Sequence, residues 1–98
     1  MLIALLIKSA IIEDVNSKHR KILESLFANP SNGNIPWDRI EALLVAVGCQ
    51  VVEGNGSSVM FEKDGQRAYF HRPHPQRAAL NYRIKAARDF LSRLEITP

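Results

Sequence analysis

Two turn signals constrain the fold of this chain more than any other feature, because only short strands fit between and beside them. The signals are Gly54-Asn55-Gly56 and Asp64-Gly65, and runs of alternating apolar and polar residues flank them. Asp-Gly between such runs is the strongest short-range indication of a two-residue hairpin turn. We therefore predict a meander of three antiparallel strands, formed by residues 49–53, 57–63 and 66–71.

Helical periodicity on both sides of these strands predicts three helices. Ser17 suits the N-cap of the first, Pro36 the first turn of the second, and Gly48 the left-handed end of the second. Helices packed on one face of a three-stranded sheet make an α+β fold and leave the other sheet face open. The predicted helices cover residues 17–28, 36–47 and 80–94, with a loop over residues 29–34.

The length of 98 residues suits one hydrophobic core and is too short for two. We predict one domain over residues 16–98, preceded by an extension, residues 1–15, whose order the sequence does not determine. The apolar run of residues 1–7 ends at Lys8, far short of the about 20 residues that span a bilayer. No basic segment precedes it, as one would in a secretory signal. We expect a cytoplasmic protein without membrane contact.

The cysteine and histidine content argues against a disulfide and against a metal site. Cys49 is the sole cysteine, so neither an intrachain disulfide nor a cysteine zinc site can form, and we expect a buried thiol without chemistry. His19, His71 and His74 lack a fourth ligand and the clustered spacing of a zinc site. We expect no metal and no cofactor.

Positive charge is concentrated in the carboxy-terminal third of the chain. Residues 66–98 contain seven Lys or Arg and two Asp or Glu, a balance of 7 − 2 = +5, whereas residues 1–65 carry 6 − 8 = −2. Such asymmetry favours a polyanionic partner, and the same charges also fit an acidic protein.

Two imidazoles and a guanidinium lie within four residues, in Phe70-His71-Arg72-Pro73-His74-Pro75. Imidazole titrates near neutral pH, so one histidine could take the proton of a ribose 2′-hydroxyl while another group protonates the leaving 5′-oxygen. Arg72 could neutralise the phosphate. Histidines beside prolines also serve as phosphate donors or packing residues, so both interpretations stay open.

Several segments together resemble the HicA toxin family, from about residue 16 to residue 96. They are Gly48, a short strand, Gly56-Ser57-Ser58-Val59-Met60-Phe61, Asp64-Gly65, a basic strand and a closing helix. A branch of the family with a longer front end is similar in Asn16-Ser17-Lys18-His19-Arg20-Lys21, Ile35-Pro36-Trp37 and the segment from Phe70 to Pro75.

The resemblance implies a double-stranded-RNA-binding-like fold, metal-independent cleavage of mRNA without the ribosome, and neutralisation by a HicB-like antitoxin in a type II toxin–antitoxin pair. The usual family pattern has a catalytic histidine after Gly-Ser at the start of the second strand, and this chain has Ser58 there. Serine is no general base near neutral pH without an activating partner. Either His71 or His74 supplies the imidazole, or the protein binds RNA without cutting it.

We therefore expect a HicA-like endoribonuclease that binds mRNA, with His71 and His74 as the candidate catalytic residues. A non-catalytic RNA-binding module and a protein-interaction domain with an acidic partner are the alternatives. The expected RNA contacts are Arg67, Tyr69, Arg72, Arg77, Arg83 and Arg88, with Gly56 and Ser57 at the hairpin entry.

Overall fold

Three strands form beside the two turn signals in a computed structural model of the chain, which describes residues 16–28, 34–74 and 77–98. They pair antiparallel in the order β1-β2-β3. The first two begin one residue later than predicted, and the third has the predicted bounds. The strands are β1 (Gln50–Glu53), β2 (Ser58–Lys63) and β3 (Gln66–His71).

The hairpin between β2 and β3 has the backbone conformation that its sequence predicts. Asp64 and Gly65 have φ angles of 51° and 79°, so both lie in the left-handed region. A type I′ turn needs positive φ at both central residues, and its twist matches that of the flanking strands. The turn thereby sets the register in which Lys63 pairs with Gln66 and Ser58 with His71.

The described residues contain three helices, α1 (Ser17–Phe27), α2 (Trp37–Ala46) and α3 (Asn81–Arg93). The prediction of Ser17 as N-cap is wrong, because the side-chain oxygen of Asn16 accepts a 2.9 Å hydrogen bond from the backbone of His19. Pro36 is the N-cap of α2 and lies outside its first turn. The extension of residues 1–15 and residues 29–33 of the predicted loop lie outside the described residues.

Side chains from the inner face of the sheet and from the helices form one hydrophobic core. Trp37, at the start of α2, is 1% exposed, and its ring centroid lies 5.0 Å from that of Phe70 and 6.5 Å from that of Phe61. Cys49 is buried with a free thiol, as predicted, and its burial raises its pKa to about 11. The thiol is therefore protonated at neutral pH and packs as a small apolar group.

The outer edge of β3 is closed by two arginines of α3. Arg83 Nε donates a 3.1 Å hydrogen bond to the carbonyl of His71, and Arg93 Nη2 donates a 3.2 Å bond to the carbonyl of Arg67. Unpaired edge carbonyls would otherwise offer a template for another strand. The bonds also fix α3 antiparallel to β3, with the start of α3 beside His71.

The outer face of the sheet carries no helix among the described elements, so its side chains remain accessible. Cross-strand register places three rows of side chains on it, because residues two apart on a strand share a face. The rows are Gln50, Glu62 and Arg67; Val52, Met60 and Tyr69; and Ser58 with His71.

Within the described ranges, no helix has the length and apolar character needed to cross a membrane.

Gly65→Ala tests the turn. A Cβ at φ 79° is strained, so we expect the substitution to lower the free energy of unfolding by about 1–2 kcal/mol. Asp64→Asn is the matched control, because Asn tolerates the left-handed region, and we expect a change within about 0.5 kcal/mol. Urea unfolding followed by circular dichroism measures both. Equal stability of Gly65→Ala and wild type would contradict this account of the turn.

Candidate functional site

Ser58 and His71 face each other across β2 and β3 on the outer face of the sheet. They are direct Cα partners, and Ser58 Oγ lies 3.4 Å from His71 Nδ1, at the outer limit of a hydrogen bond. When the imidazole proton is on Nδ1 and is donated to Ser58 Oγ, the lone pair is on Nε2. The arrangement can therefore present a basic nitrogen at the open face.

Backbone contacts around the β1–β2 turn hold Ser58 in place. The amide of Gly54 donates a 2.9 Å hydrogen bond to the Ser58 carbonyl, and the amide of Arg72 donates a 2.8 Å bond to the Ser57 carbonyl. A Cβ added at Gly54 would lie only 2.9 Å from Ser58 Cβ, so the close approach of the two residues requires glycine. Gly56 and Ser57 lie in this turn, exposed.

A groove of about 350 Å³ adjoins the Ser58–His71 pair. Tyr69 is its most exposed large apolar side chain, at 71%. The lining residues are Val52, Glu53, Gly54, Ser58, Val59, Met60, Tyr69, Phe70 and His71.

His74 lines a second groove, of about 340 Å³. Arg83 lines it too, and its bond to the His71 carbonyl connects the two grooves. The structure thus brings His71 together with Ser58 and Arg83, whereas His71 and His74 line different grooves. The second groove is lined by Pro73, His74, Arg77, Ala78, Leu80 and Arg83.

The Arg72 guanidinium is bound by two carboxylates. Its Nε and Nη2 donate bonds of 2.9 and 2.8 Å to Glu41 of α2, and its Nη1 and Nη2 donate bonds of 2.5 and 2.8 Å to Glu53 of β1. These hydrogen bonds raise the pKa of Arg72, and the bond from Arg72 lowers the pKa of Glu53. Arg72 therefore joins the end of β3 to α2 and β1, and four of its five N–H donors bind these two carboxylates.

Glu41 continues this network into the core. Its Oε1 also accepts a 2.9 Å hydrogen bond from Trp37 Nε1. A chain of contacts therefore runs from the buried indole through Glu41 to Arg72, the residue that follows His71. Sequence reasoning missed Glu41 and Glu53, which lie 31 and 19 residues from Arg72. Of the contacts in this network, the sequence indicated only the one between Trp37 and Glu41, because residues at i and i+4 on a helix are neighbours.

The other predicted RNA contacts have different surroundings. Arg67 Nε donates a 2.7 Å bond to Glu62, which raises the pKa of Arg67. Arg77 lines the second groove, and Arg88 is a half-buried residue of α3. In the part of the chain that the structure describes, no group of three His, Cys, Asp or Glu side chains is placed to hold a metal ion.

The lowered pKa of Glu53 predicts a pH-dependent contribution to stability. Because its folded pKa lies below its ordinary value of 4.5, ionised Glu53 stabilises the fold above that value and loses this effect as the pH falls through the folded pKa. We expect Glu53→Gln to be less stable than wild type at pH 7, with the difference vanishing in acid.

Urea unfolding of both proteins across this pH range measures the difference. Glu24→Gln is the matched control, since Glu24 is an exposed carboxylate of α1 and is not one of the two carboxylates that bind Arg72. A Glu53→Gln difference that stays constant from pH 7 into acid would contradict the role of the Arg72 contact.

Comparison with known proteins gives one family. The family model described as HicA toxin of bacterial toxin-antitoxin matches residues 37–89, more than half of the chain. The match runs from the first residue of α2 into α3 and includes both Ser58 and His71. No curated protein and no solved structure gave a significant match.

Proposed function

Because the chain belongs to the HicA family, the toxins of bacterial toxin–antitoxin pairs, we propose that it cleaves RNA with His71 as its catalytic imidazole. Its α+β fold, with a three-stranded antiparallel sheet and three helices in the described residues, is the double-stranded-RNA-binding-like fold of that family. A family member has an antitoxin partner and an RNA target in general.

The position of His71 opposite Ser58 carries the proposal. The family pattern has a catalytic histidine where this chain has Ser58, and Ser58 pairs directly with His71 on the same sheet face. An imidazole on β3 therefore reaches nearly the same part of the open face as an imidazole on β2 would. The group has moved to the neighbouring strand, and the site remains at the same end of the sheet.

The geometry supports attack by the ribose 2′-hydroxyl. His71 Nε2 takes the proton of this hydroxyl, the 2′-oxygen bonds to the adjacent phosphorus, and the bond from phosphorus to the 5′-oxygen breaks. The leaving oxygen takes a proton from a general acid, for which His74 is the candidate. The products are a 2′,3′-cyclic phosphate and a 5′-hydroxyl end, so atoms and charge balance without a further reactant.

Arginines beside His71 supply positive charge for the phosphate. Arg83 lies at the His71 carbonyl, and Arg77 lines the same groove as Arg83. Preorganised positive charge near developing negative charge is a large contribution to catalysis. Arg72, whose donors bind Glu41 and Glu53, acts indirectly by holding the end of β3. Further proposed RNA contacts are Arg67, Tyr69 and Arg88, with Gly56 and Ser57 in the turn.

The substrate and partner follow from the same family. We propose mRNA as the target, a HicB-like protein as the antitoxin, and the cytoplasm as the place where they meet. The +5 balance of residues 66–98 supports a polyanion and equally an acidic antitoxin that covers the same face.

Cleavage of a labelled mRNA by the purified protein, with EDTA present, tests the catalytic proposal. We expect His71→Ala to lower the rate by about 100-fold or more, as loss of a general base does, with RNA affinity retained. We expect His74→Ala to lower the cleavage rate as well, because it removes the candidate general acid. His19→Ala is the matched control, because His19 is a histidine of α1 that lines neither groove, and it should cleave like wild type.

Two other results would contradict the assignment. Wild-type cleavage rates in His71→Ala would remove His71 from the chemistry. RNA binding without cleavage by the wild type, with cleavage gained in Ser58→His, would identify an RNA-binding relative that has lost its catalytic group.

A further inference from the structure

An exposed apolar row crosses the outer face of the sheet beside the Ser58–His71 pair. It consists of Val52, Met60 and Tyr69, which are successive cross-strand partners. Tyr69 is 71% exposed and Val52 is 47% exposed, which makes them two of the five large apolar side chains that the described surface exposes. Their adjacency on one sheet face indicates a binding surface, because scattered single residues would not form a row.

The chemistry of the row suits a flat aromatic ligand. The phenol ring of Tyr69 and the flexible side chain of Met60 both line a groove of about 350 Å³, and Met60 lies between Val52 and Tyr69 in the row. Nucleobases stack on aromatic side chains without regard to sequence, because every base has a π-face. The thioether of Met60 adds a polarisable contact that adapts to different rings.

The neighbours of the row indicate which molecule carries that base. Arg67 lies on one side of Tyr69 along β3 and His71 on the other, in rows about 7 Å away. Beyond His71, Arg83 and Arg77 line the adjoining groove. A nucleotide chain matches this arrangement, because its base can stack on Tyr69 while its phosphates meet Arg77 and Arg83 in the adjoining groove.

We propose that the row of Val52, Met60 and Tyr69 stacks one unpaired base of single-stranded RNA and thereby holds that nucleotide's 2′-hydroxyl at His71. This inference rests on the proposed RNA target. It adds that the cleaved site is unpaired, because a base in a duplex is stacked on its neighbours and must leave them to reach the sheet. Duplex RNA is therefore a poor ligand for this face despite its charge.

Fluorescence anisotropy with a labelled 2′-O-methyl RNA tests base stacking on the row separately from cleavage, because this RNA lacks the attacking hydroxyl. We expect the single strand to bind the full chain more tightly than the same strand annealed to its complement. Tyr69→Ala should weaken single-strand binding by about tenfold, as loss of one stacked base does. Tyr69→Phe, the matched control that keeps the ring, should bind like wild type, and Tyr69→Leu should behave like Tyr69→Ala.

A 2-aminopurine placed in turn at each position of the strand gives a second readout. Stacking on Tyr69 should quench its fluorescence at one position in wild type and in Tyr69→Phe, and the quenching should be absent in Tyr69→Ala. Equal single-strand affinity of Tyr69→Ala and wild type would overturn the inference. Unchanged RNA affinity together with lost binding of the cognate antitoxin would assign the row to a protein interface and overturn it as well.

These outcomes are independent of the catalytic proposal. If the base stacks on Tyr69 but the protein never cleaves unmodified RNA, the result supports base stacking on the row and contradicts the role of His71. Cleavage that depends on His71, with no effect of Tyr69→Ala on RNA binding, would support the role of His71 and contradict base stacking on the row.

Discussion

The pairing register of β2 and β3 is the constraint on which both the core and the candidate site depend. The turn at Asp64 and Gly65 sets it, and side chains alternate between the two faces from there on. Phe61 and Phe70 therefore face the core, while Ser58 and His71 face outward. A slip by one residue would reverse every side chain of a strand, exposing aromatic rings and burying an imidazole. The same register thus stabilises the fold and assembles the site.

Positive charge in this chain has a larger structural role than its distribution in the sequence indicates. Four arginines that the charge balance would assign to a polyanion already have partners within the protein. Arg72 binds Glu41 and Glu53, Arg67 binds Glu62, and Arg83 and Arg93 bind carbonyls at the edge of β3. Such contacts hold guanidinium groups in defined positions, and Arg83 in particular stays beside His71 while it can still meet a phosphate with its remaining donors.

Local signals predicted most of the fold. The turn residues, the alternation along β2 and β3 and the helical spacing of α2 and α3 all act over a few residues. The structure confirms the elements they predicted, with ends that differ by at most one residue. The N-cap of α1 was wrong because Asn16 and Ser17 are adjacent and both suit that position. The resemblance to the HicA family is confirmed by the match over residues 37–89.

The site was only partly accessible from sequence. The substitution of Ser58 for histidine was visible, and its pairing with His71 follows from the two-residue turn at Asp64-Gly65, which sets the register. The 3.4 Å approach of the two side chains depends on their rotamers, which the sequence does not give. The double carboxylate contact of Arg72 had no sequence signal, because Glu41 and Glu53 come from two other elements. The assignment of His71 and His74 as catalytic residues stays a prediction, as does each RNA contact.

The transfer of the imidazole from β2 to β3 is the central claim, and exchanging the two facing residues tests it most directly. Cleavage of one RNA would be compared among wild type, His71→Ser and the double variant Ser58→His with His71→Ser. The account predicts that His71→Ser loses cleavage and that the exchange restores it, because the imidazole returns to the family's position at the same end of the sheet. Cleavage by His71→Ser at the wild-type rate would contradict the account.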